Sequence, residues 1–361
     1  MGQILAGAAI AEITLLCHSG YDSQTLRQKI LQRLATIVPF EYVYFSITDP
    51  GTQLIIDSVM PEQPPSWMMS VFVNNEYLDD DFNKFSEMMR LRQPVAILSE
   101  AAGSDLSQSA RYRNMLLPLN MRDELRAVFA TEDTCWGTLC LHRGGSLAAY
   151  QSEEFAILSR LTPHITAGLR KAFLLEKAVS DKPNGPALLL LDDEYNLVSL
   201  SPVAAQWLEE IAATQQAKAP GLPLCVRSVA AQLRALELGK LPADRTPSLR
   251  LRTRAGGWLK LHASRLLNHT GNSSIVVILE KALPDELFSL IAHAHGLTRR
   301  EAEVTQCVLW GLSTEEIARH LHLSQYTVQD HLKAIFNKVD VNSRRELTAR
   351  LSATQMQHPR G

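Results

Sequence analysis

Residues 297–351 read LTRREAEVTQCVLWGLSTEEIARHLHLSQYTVQDHLKAIFNKVDVNSRRELTARL, and this stretch predicts four short helices. Three of the predicted helix starts are a Ser or Thr followed three residues later by Glu, namely Thr298 with Glu301, Ser313 with Glu316, and Ser343 with Glu346. In such a capping box the hydroxyl accepts an N–H of the first turn, and the carboxylate accepts the N–H of the capping residue. Ser324 offers a fourth start, and Gly311 suits the left-handed end of the first helix. The C-terminal part is therefore predicted to be a compact all-α domain.

The third predicted helix, which begins after Ser324, has one apolar and one polar face. Its apolar residues recur at helical period and are Val328, Leu332, Ile335, Phe336 and Val339. Its opposite face carries Tyr326, Asp330, Lys333 and Asn337, with Gln329 on the flank. Taken alone, this pattern is typical of any amphipathic surface helix. However, a short helix over Ser313–Leu321 and a tight turn at His322–Leu323 precede it. Two helices joined in this way predict a helix-turn-helix whose second helix enters a DNA groove.

The same segment resembles the LuxR-type (NarL/FixJ) helix-turn-helix family over residues 297–351. The matching residues are Leu297 to Glu301, Glu303, Val304, Gly311 to Ser313, Glu316 to Ala318, Leu323, Ser324, Thr327, Val328, His331, Lys338, Val339, Val341 and Arg344. The resemblance implies a bacterial transcription regulator that dimerises on double-stranded DNA through its fourth helix, here Arg344 to Arg350.

The resemblance also implies which side chains contact DNA. The residues that would read base edges are Gln329, Asp330 and Lys333. The residues that would contact phosphates are Thr327, Lys338 and Arg344. Many members carry Lys where Gln329 stands and an uncharged residue where Asp330 stands, so this helix is less basic than many. An Asp can accept a hydrogen bond from cytosine N4 but is repelled by phosphates. Asp330 therefore either reads a base or only sets the distance between the helix and the DNA.

Length and composition place this domain in a larger globular protein. A chain of 361 residues is too long for one hydrophobic core and predicts two or three domains. Its net charge is −2, but residues 297–361 carry nine Lys/Arg against seven Asp/Glu, a small excess of the sign that DNA attracts. Five cysteines, an odd number without a CxxC pair, favour a reducing cytoplasm over a disulfide framework.

Neither a targeting segment nor a metal site is expected. The first sixteen residues are apolar, but no basic region precedes them and Glu12 interrupts them, so they predict an amphipathic helix instead of a signal peptide. No stretch reaches the roughly twenty apolar residues of a membrane span. A metal site built from Cys135, Cys140 and His142 is disfavoured, because the two cysteines differ in parity along one predicted strand and would point to opposite faces.

Residues 1–178 predict an α+β domain. Helical periodicity over Ser23–Val38 is followed by strands at Tyr42–Thr48 and Gln53–Val59. A long middle has helices around 65–74 and 80–91. Closing strands at 126–130 and 136–142 and a long exit helix from Tyr150 to about Ala178 complete the pattern. This order resembles a GAF domain, which implies a small-molecule effector or a dimer contact between the sheet and the middle helices.

By this resemblance an effector pocket would be lined by five aromatic residues, Tyr44, Trp67, Phe72, Tyr112 and Trp136. The alternative is that these rings are ordinary core, which holds for most buried aromatic side chains.

A linker over Ser180–Pro186 separates this domain from residues 186–282. Strands are predicted at Ala187–Leu191 and Leu197–Leu200, helices follow, and three further strands end at Leu279, with a hairpin at Ala255–Gly257. The pattern resembles a PAS domain without any haem, flavin or phosphate signature, so no cofactor is expected. Leu283–His295 would then connect it to a DNA-binding domain at 290–361.

Enzyme motifs are absent: there is no GxSxG, Walker loop, HExxH or glycine-rich dinucleotide turn. The sequence therefore predicts a non-enzymatic cytoplasmic transcription regulator that acts as a homodimer. The activity of this regulator would be controlled by a ligand, a redox state or a protein contact. The alternative is a protein-interaction module whose helical tail contacts RNA polymerase or another partner, since region 4 of sigma factors shares this helical layout.

Overall fold

The structure is a computed structural model that describes residues 2–60, 65–103, 105–132, 134–175, 185–214, 221–253, 257–267 and 273–355. The chain divides into two compact units, residues 1–281 and 282–361. Most of the predicted linker (180–184) and part of the predicted hairpin turn (255–256) lie outside the described residues, as does the end of the predicted exit helix (176–178).

The first half of the first unit is a five-stranded antiparallel sheet with helices on both faces. Its elements are α1 (Gly2–His18), α2 (Ser23–Leu34), β1 (Tyr42–Thr48), β2 (Ile55–Val59), α3 (Ser66–Tyr77), α4 (Phe85–Arg90), β3 (Val95–Ile97), α5 (Leu98–Ala102), β4 (Met121–Thr131), β5 (Thr134–Gly144) and α6 (Ser152–Leu175). Short 3₁₀ and π turns lie between Leu106 and Leu119. The strand order is β2-β1-β5-β4-β3.

The second half contains another five-stranded antiparallel sheet. Its elements are β6 (Ala187–Leu191), β7 (Leu197–Leu200), α7 (Pro202–Thr214), α8 (Leu224–Glu237), β8 (Ser248–Arg252), β9 (Trp258–Leu267) and β10 (Ser273–Lys281), and its order is β7-β6-β10-β9-β8. Alternate residues of β9 are buried, so one face of this sheet packs inward.

The two halves of this unit are joined by buried polar contacts. The carboxylate of Asp49 is fully buried and accepts the backbone N–H of Arg250 at 2.6 Å and its Nη2 at 3.0 Å. Arg227 of α8 donates to Ser70 of α3 at 2.8 Å. These contacts agree with both halves belonging to one compact unit.

Most strands lie where the sequence predicts them, and the two-part α+β class is confirmed. The sequence prediction missed β3. It also gave the closing strands too few residues, since β4 and β5 have 11 residues each. A three-residue strand shows no periodicity, so no sequence signal marks β3.

The described residues of the second unit, 282–355, form five helices, so the all-α class predicted for this part is confirmed. They are α9 (Pro284–Ala294), α10 (Arg299–Leu309), α11 (Thr314–His320), α12 (Gln325–Val339) and α13 (Arg344–Gln355). The segment expected to be a connection is α9, whose Leu290 and Ile291 are buried and which packs on α10 and α13. Among the described residues, no helix combines the length and the apolar character that crossing a bilayer requires.

Candidate nucleic-acid interface

Side-chain caps fix the starts of the helices that carry this interface. Thr298 and Glu301 form both hydrogen bonds of a capping box at α10, and Ser313 and Glu316 do so at α11. At α13 the box is incomplete: the N–H of Glu346 donates to Ser343 Oγ, but the Glu346 carboxylate accepts from Asn342. Two of the three predicted boxes are therefore complete.

The turn between α11 and α12 sets the position of the second helix. His322 has φ +53°, a left-handed conformation that ends α11, and the N–H of Leu323 donates to Ala318 O at 2.8 Å. Ser324 Oγ then accepts the N–H of Thr327 at 3.1 Å and caps α12. Two helices joined by so short a turn form a helix-turn-helix.

Helix α12 buries one face and leaves the other open. Val328, Leu332, Ile335 and Val339 are buried, as the periodicity predicts. The residues at the predicted base-reading positions, Gln329, Asp330 and Lys333, are all exposed, and Tyr326 at the start of the helix is 82% exposed. These side chains stand clear of the domain core, which is the arrangement that groove reading requires.

Asp330 and Lys333 lie close to each other on this open face. Lys333 Nζ is 3.6 Å from Asp330 Oδ1, and both side chains are more than three-quarters exposed. An exposed pair of this kind is held weakly, so either side chain is free to rearrange towards a base.

All three residues predicted to contact phosphates have partners within the domain. Lys338 Nζ lies 2.6 Å from Glu301 Oε2 and ties α12 to α10. Burial alone would raise the pKa of Glu301, but Lys338 and the capping N–H of Thr298 lower it below its ordinary value. Arg344 donates to Leu312 O at 2.8 Å. Thr327 lies at the first turn of α12, its hydroxyl 2.8 Å from Ser324 Oγ.

These contacts give Lys338 and Arg344 a role in holding the helices together, whether or not they also reach phosphate. The charge of each residue was visible in the sequence. The partner of Lys338 lies 37 residues away, which no local pattern could show.

The geometry of α11, the turn and α12 is that of a helix-turn-helix. Residues 295–351 match the family model of the bacterial regulatory proteins, luxR family, so this domain is a LuxR-type helix-turn-helix. The transcriptional regulatory protein DesR of Bacillus subtilis (strain 168) is 36% identical over 67 residues, which are 19% of this chain and 34% of DesR. The response regulatory protein YgeK of Escherichia coli (strain K12) is 38% identical over 63 residues, 18% of this chain and 43% of YgeK. The chain thus spans less than half the length of these curated relatives.

Solved structures give looser similarities. The ligand-binding domain of VqsR from Pseudomonas aeruginosa has a TM-score of 0.35 at 17% identity, covering 47% of this chain and 98% of that one. Escherichia coli SdiA has a TM-score of 0.33 at 12% identity and covers 96% of both chains.

The five residues predicted to line an effector pocket do not form one group, although some of them are neighbours. Tyr44 and Phe72 are buried and stacked, with ring centroids 5.9 Å apart, and Tyr112 is half-buried nearby. Trp67 is 41% exposed. Trp136 instead packs on Phe173 of α6, with centroids 5.5 Å apart.

A β-bulge explains the position of Trp136. Phe129 pairs with Gly137 and Ala130 with Cys135, so Trp136 is an extra residue without a partner in this register. The bulge also breaks strict alternation, and Cys135 lines the same cavity as Thr138. The parity argument that separated Cys135 from Cys140 was therefore wrong, although Cys140 and His142 do lie together.

Sequence reasoning missed a buried charge network between the first sheet and α3. The carboxylate of Glu124 lies 2.7 Å from Arg111 Nε, 3.0 Å from Arg126 Nε and 3.0 Å from His142 Nε2, and Arg126 also reaches Glu76 at 2.9 Å. Burial alone would raise the pKa of Glu124, but the two guanidinium groups hold it well below its ordinary value. The sequence did contain a signal for this network, because charged residues are interspersed with apolar ones in the strand that became β4.

Glu124, Cys140 and His142 form a buried group whose possible ligand atoms lie within 4.8 Å of one another. Two positive guanidinium groups already hold the Glu124 carboxylate. A cation bound here would face both of them, so the charges oppose a metal ion.

Proposed function

We propose that this protein is a sequence-specific DNA-binding transcription regulator of bacteria whose recognition helix is α12. The observation that carries this proposal is the exposed row formed by Gln329, Asp330 and Lys333 on a capped helix of a LuxR-type domain. In the major groove glutamine pairs with adenine and lysine with guanine. Asp330 either accepts a hydrogen bond from cytosine or only sets the distance between the helix and the DNA.

The regulator acts as a cytoplasmic homodimer, with α13 as the dimer helix and two half-sites about one helical turn apart. Residues 1–178 and 186–282 serve as sensor domains, and residues 290–361 bind DNA. A signal in the first unit shifts the population of dimers able to place both recognition helices in DNA. No catalytic activity, metal or cofactor is part of this proposal.

Fluorescence anisotropy with genomic fragments and the full chain tests the proposal. Lys333→Ala and Gln329→Ala should each weaken specific binding by about 1–3 kcal/mol. Arg299→Ala is the matched control: it removes one charge from the same unit, at a side chain that is 96% exposed on α10. Binding that survives unchanged in the double variant of α12, or no binding at low salt, would refute base reading. In that case a complex with RNA polymerase in a pull-down would favour the protein-interaction alternative.

The phosphate contacts have a separate readout. If Arg344 contacts phosphate, Arg344→Ala makes the fall of log affinity with log salt shallower by about one unit of slope. If Arg344 only holds α13 against the turn at Leu312, the variant melts at a lower temperature and its salt slope is unchanged.

A further inference from the structure

Tyr326, at the start of α12, is 82% exposed, more than any other large apolar side chain among the described residues of the second unit. Its side chain forms no hydrogen bond, ion pair or ring contact with any residue that the structure describes. Leu283 and Trp310 are exposed as well, but Leu283 precedes α9, and Trp310 packs edge-on against His320 with ring centroids 6.1 Å apart. The fold therefore leaves the apolar surface of the Tyr326 ring in water and gains nothing from it.

The position of Tyr326 on α12 directs its ring to the same side as the proposed base-reading residues. At 3.6 residues per turn, position 326 lies within about 40° of Asp330 and about 20° of Lys333 around the helix axis. All three side chains are exposed, whereas Val328 on the opposite side of the helix is buried. A helix that enters a groove with Asp330 and Lys333 foremost also carries the tyrosine ring into it, and the N-terminal residues of a recognition helix are those that contact base edges.

The chemistry of this side of α12 favours a base over a phosphate as the partner of the ring. The carboxylate of Asp330, one turn further along, is 77% exposed and would be repelled by phosphates. In the major groove the apolar group on a base edge is the C5-methyl of thymine. A ring laid on a G·C edge would instead displace water from hydrogen-bonding groups without replacing the bonds. An apolar ring at this position therefore suits a thymine.

We propose that the ring of Tyr326 packs on the C5-methyl of a thymine in each half-site, so that α12 reads DNA with four residues instead of three. Three or four residues separate Tyr326 from Gln329 and Asp330, a rise of about 4.5–6 Å along the helix. Base pairs stack about 3.4 Å apart, so the thymine lies one or two base pairs from the pair that Gln329 contacts. This inference deepens the proposed function and rests on it.

Fluorescence anisotropy of the full chain on a duplex selected from random sequence tests the contact. Each thymine of one half-site is replaced singly by deoxyuridine, which pairs as thymine does and lacks only the methyl group. One of these replacements should weaken wild-type binding about fourfold, the change expected for one buried methyl group. Tyr326→Ala should bind the thymine duplex at least about fourfold more weakly than the wild type. It should bind the thymine and deoxyuridine duplexes equally, because the partner of the methyl is gone.

Tyr326→Phe separates the ring from the hydroxyl. It should keep the affinity of the wild type and its full dependence on the methyl group. A loss equal to that of Tyr326→Ala would assign the contact to the hydroxyl and overturn the proposal. Both variants should melt at the wild-type temperature, since the side chain is exposed. Trp310→Ala is the matched control: it removes an exposed ring of the same unit that lies outside α12, and it should change neither the affinity nor the dependence on the methyl.

The outcomes separate this inference from the proposed function. Sequence-specific binding in which no thymine methyl depends on Tyr326 overturns the inference and leaves the proposed function standing. If the wild-type chain shows no sequence-specific binding at all, the proposed function fails and the inference fails with it.

Discussion

The sheet formed by β1–β5 and the sheet formed by β6–β10 have the same strand order, 2-1-5-4-3 when each is numbered along the chain. In the first sheet every residue of β5 is buried, because helices cover both faces. In the second, the first six residues of β9 alternate between half-buried and buried, and the other face carries exposed apolar side chains such as Leu188, 47% exposed.

This difference determines where each sheet places its charged side chains. A sheet covered on both faces has to pair its charged side chains internally, as Glu124 does with Arg111 and Arg126. Among the described residues, the second sheet buries an ion pair only where it meets the first half, at Arg250 and Asp49. Its cross-strand pair, Lys260 with Glu280 at 3.9 Å, is partly exposed. The same topology thus encloses a network of buried charges in the first half, whereas the pair of Lys260 and Glu280 in the second half stays partly exposed.

The largest effect is expected from removing the charge at the centre of the first network. Glu124→Gln leaves Arg111 and Arg126 buried beside a neutral group and should cost about 3–5 kcal/mol of unfolding free energy. Urea denaturation of the full chain measures it. The matched variant in the second sheet, Glu280→Gln, should change stability by less than about 0.5 kcal/mol. Equal losses in the two variants would contradict the comparison.

Features that depend on residues close together in the sequence could be predicted, and features that depend on residues far apart could not. The bounds of β6 and β7 follow from short apolar runs on either side of a turn, and the buried face of α12 follows from helical periodicity, so these were predicted well. The pairing of Arg126 with Glu76 spans 50 residues and has no local signature. The bulge at Trp136 depends on the register with β4, so its side chain was assigned to a pocket that it does not line.

Neighbouring leucines of β6 provide the next test, since they point to opposite faces of the second sheet. Leu189 is fully buried and Leu188 is 47% exposed. Leu189→Ala should cost about 3 kcal/mol through lost contacts and a cavity. Leu188→Ala should cost less than about 1 kcal/mol. Thermal and urea unfolding measure both. A large loss in Leu188→Ala would mean that the open face is covered in solution.

A smaller effect is expected where the two halves meet. Asp49→Asn removes the charge that faces the Arg250 guanidinium and should cost about 2 kcal/mol, since Arg250 keeps partial access to water. Calorimetry should also show the single unfolding transition begin to separate into two. Asp193→Asn is the control, because its partner Arg265 keeps Glu237 at 2.5 Å. One unchanged transition in Asp49→Asn would show that apolar contacts alone join the halves.

The smallest change is expected on lowering the pH from 7 to 5. The folded pKa of Glu124 lies well below the ordinary value of a glutamate, so this carboxylate stays ionised throughout that interval and its contribution to stability is fully present. Below about pH 4.3 the unfolded chain takes up the proton first, and the stabilisation is lost progressively as the pH falls towards the folded pKa. Urea midpoints measured from pH 7 to pH 3 should therefore fall more steeply for the wild type than for Glu124→Gln, which has no proton to gain at this position. Parallel curves would show that the network of the first sheet is not linked to proton uptake, and the two sheets would then respond to acid in the same way.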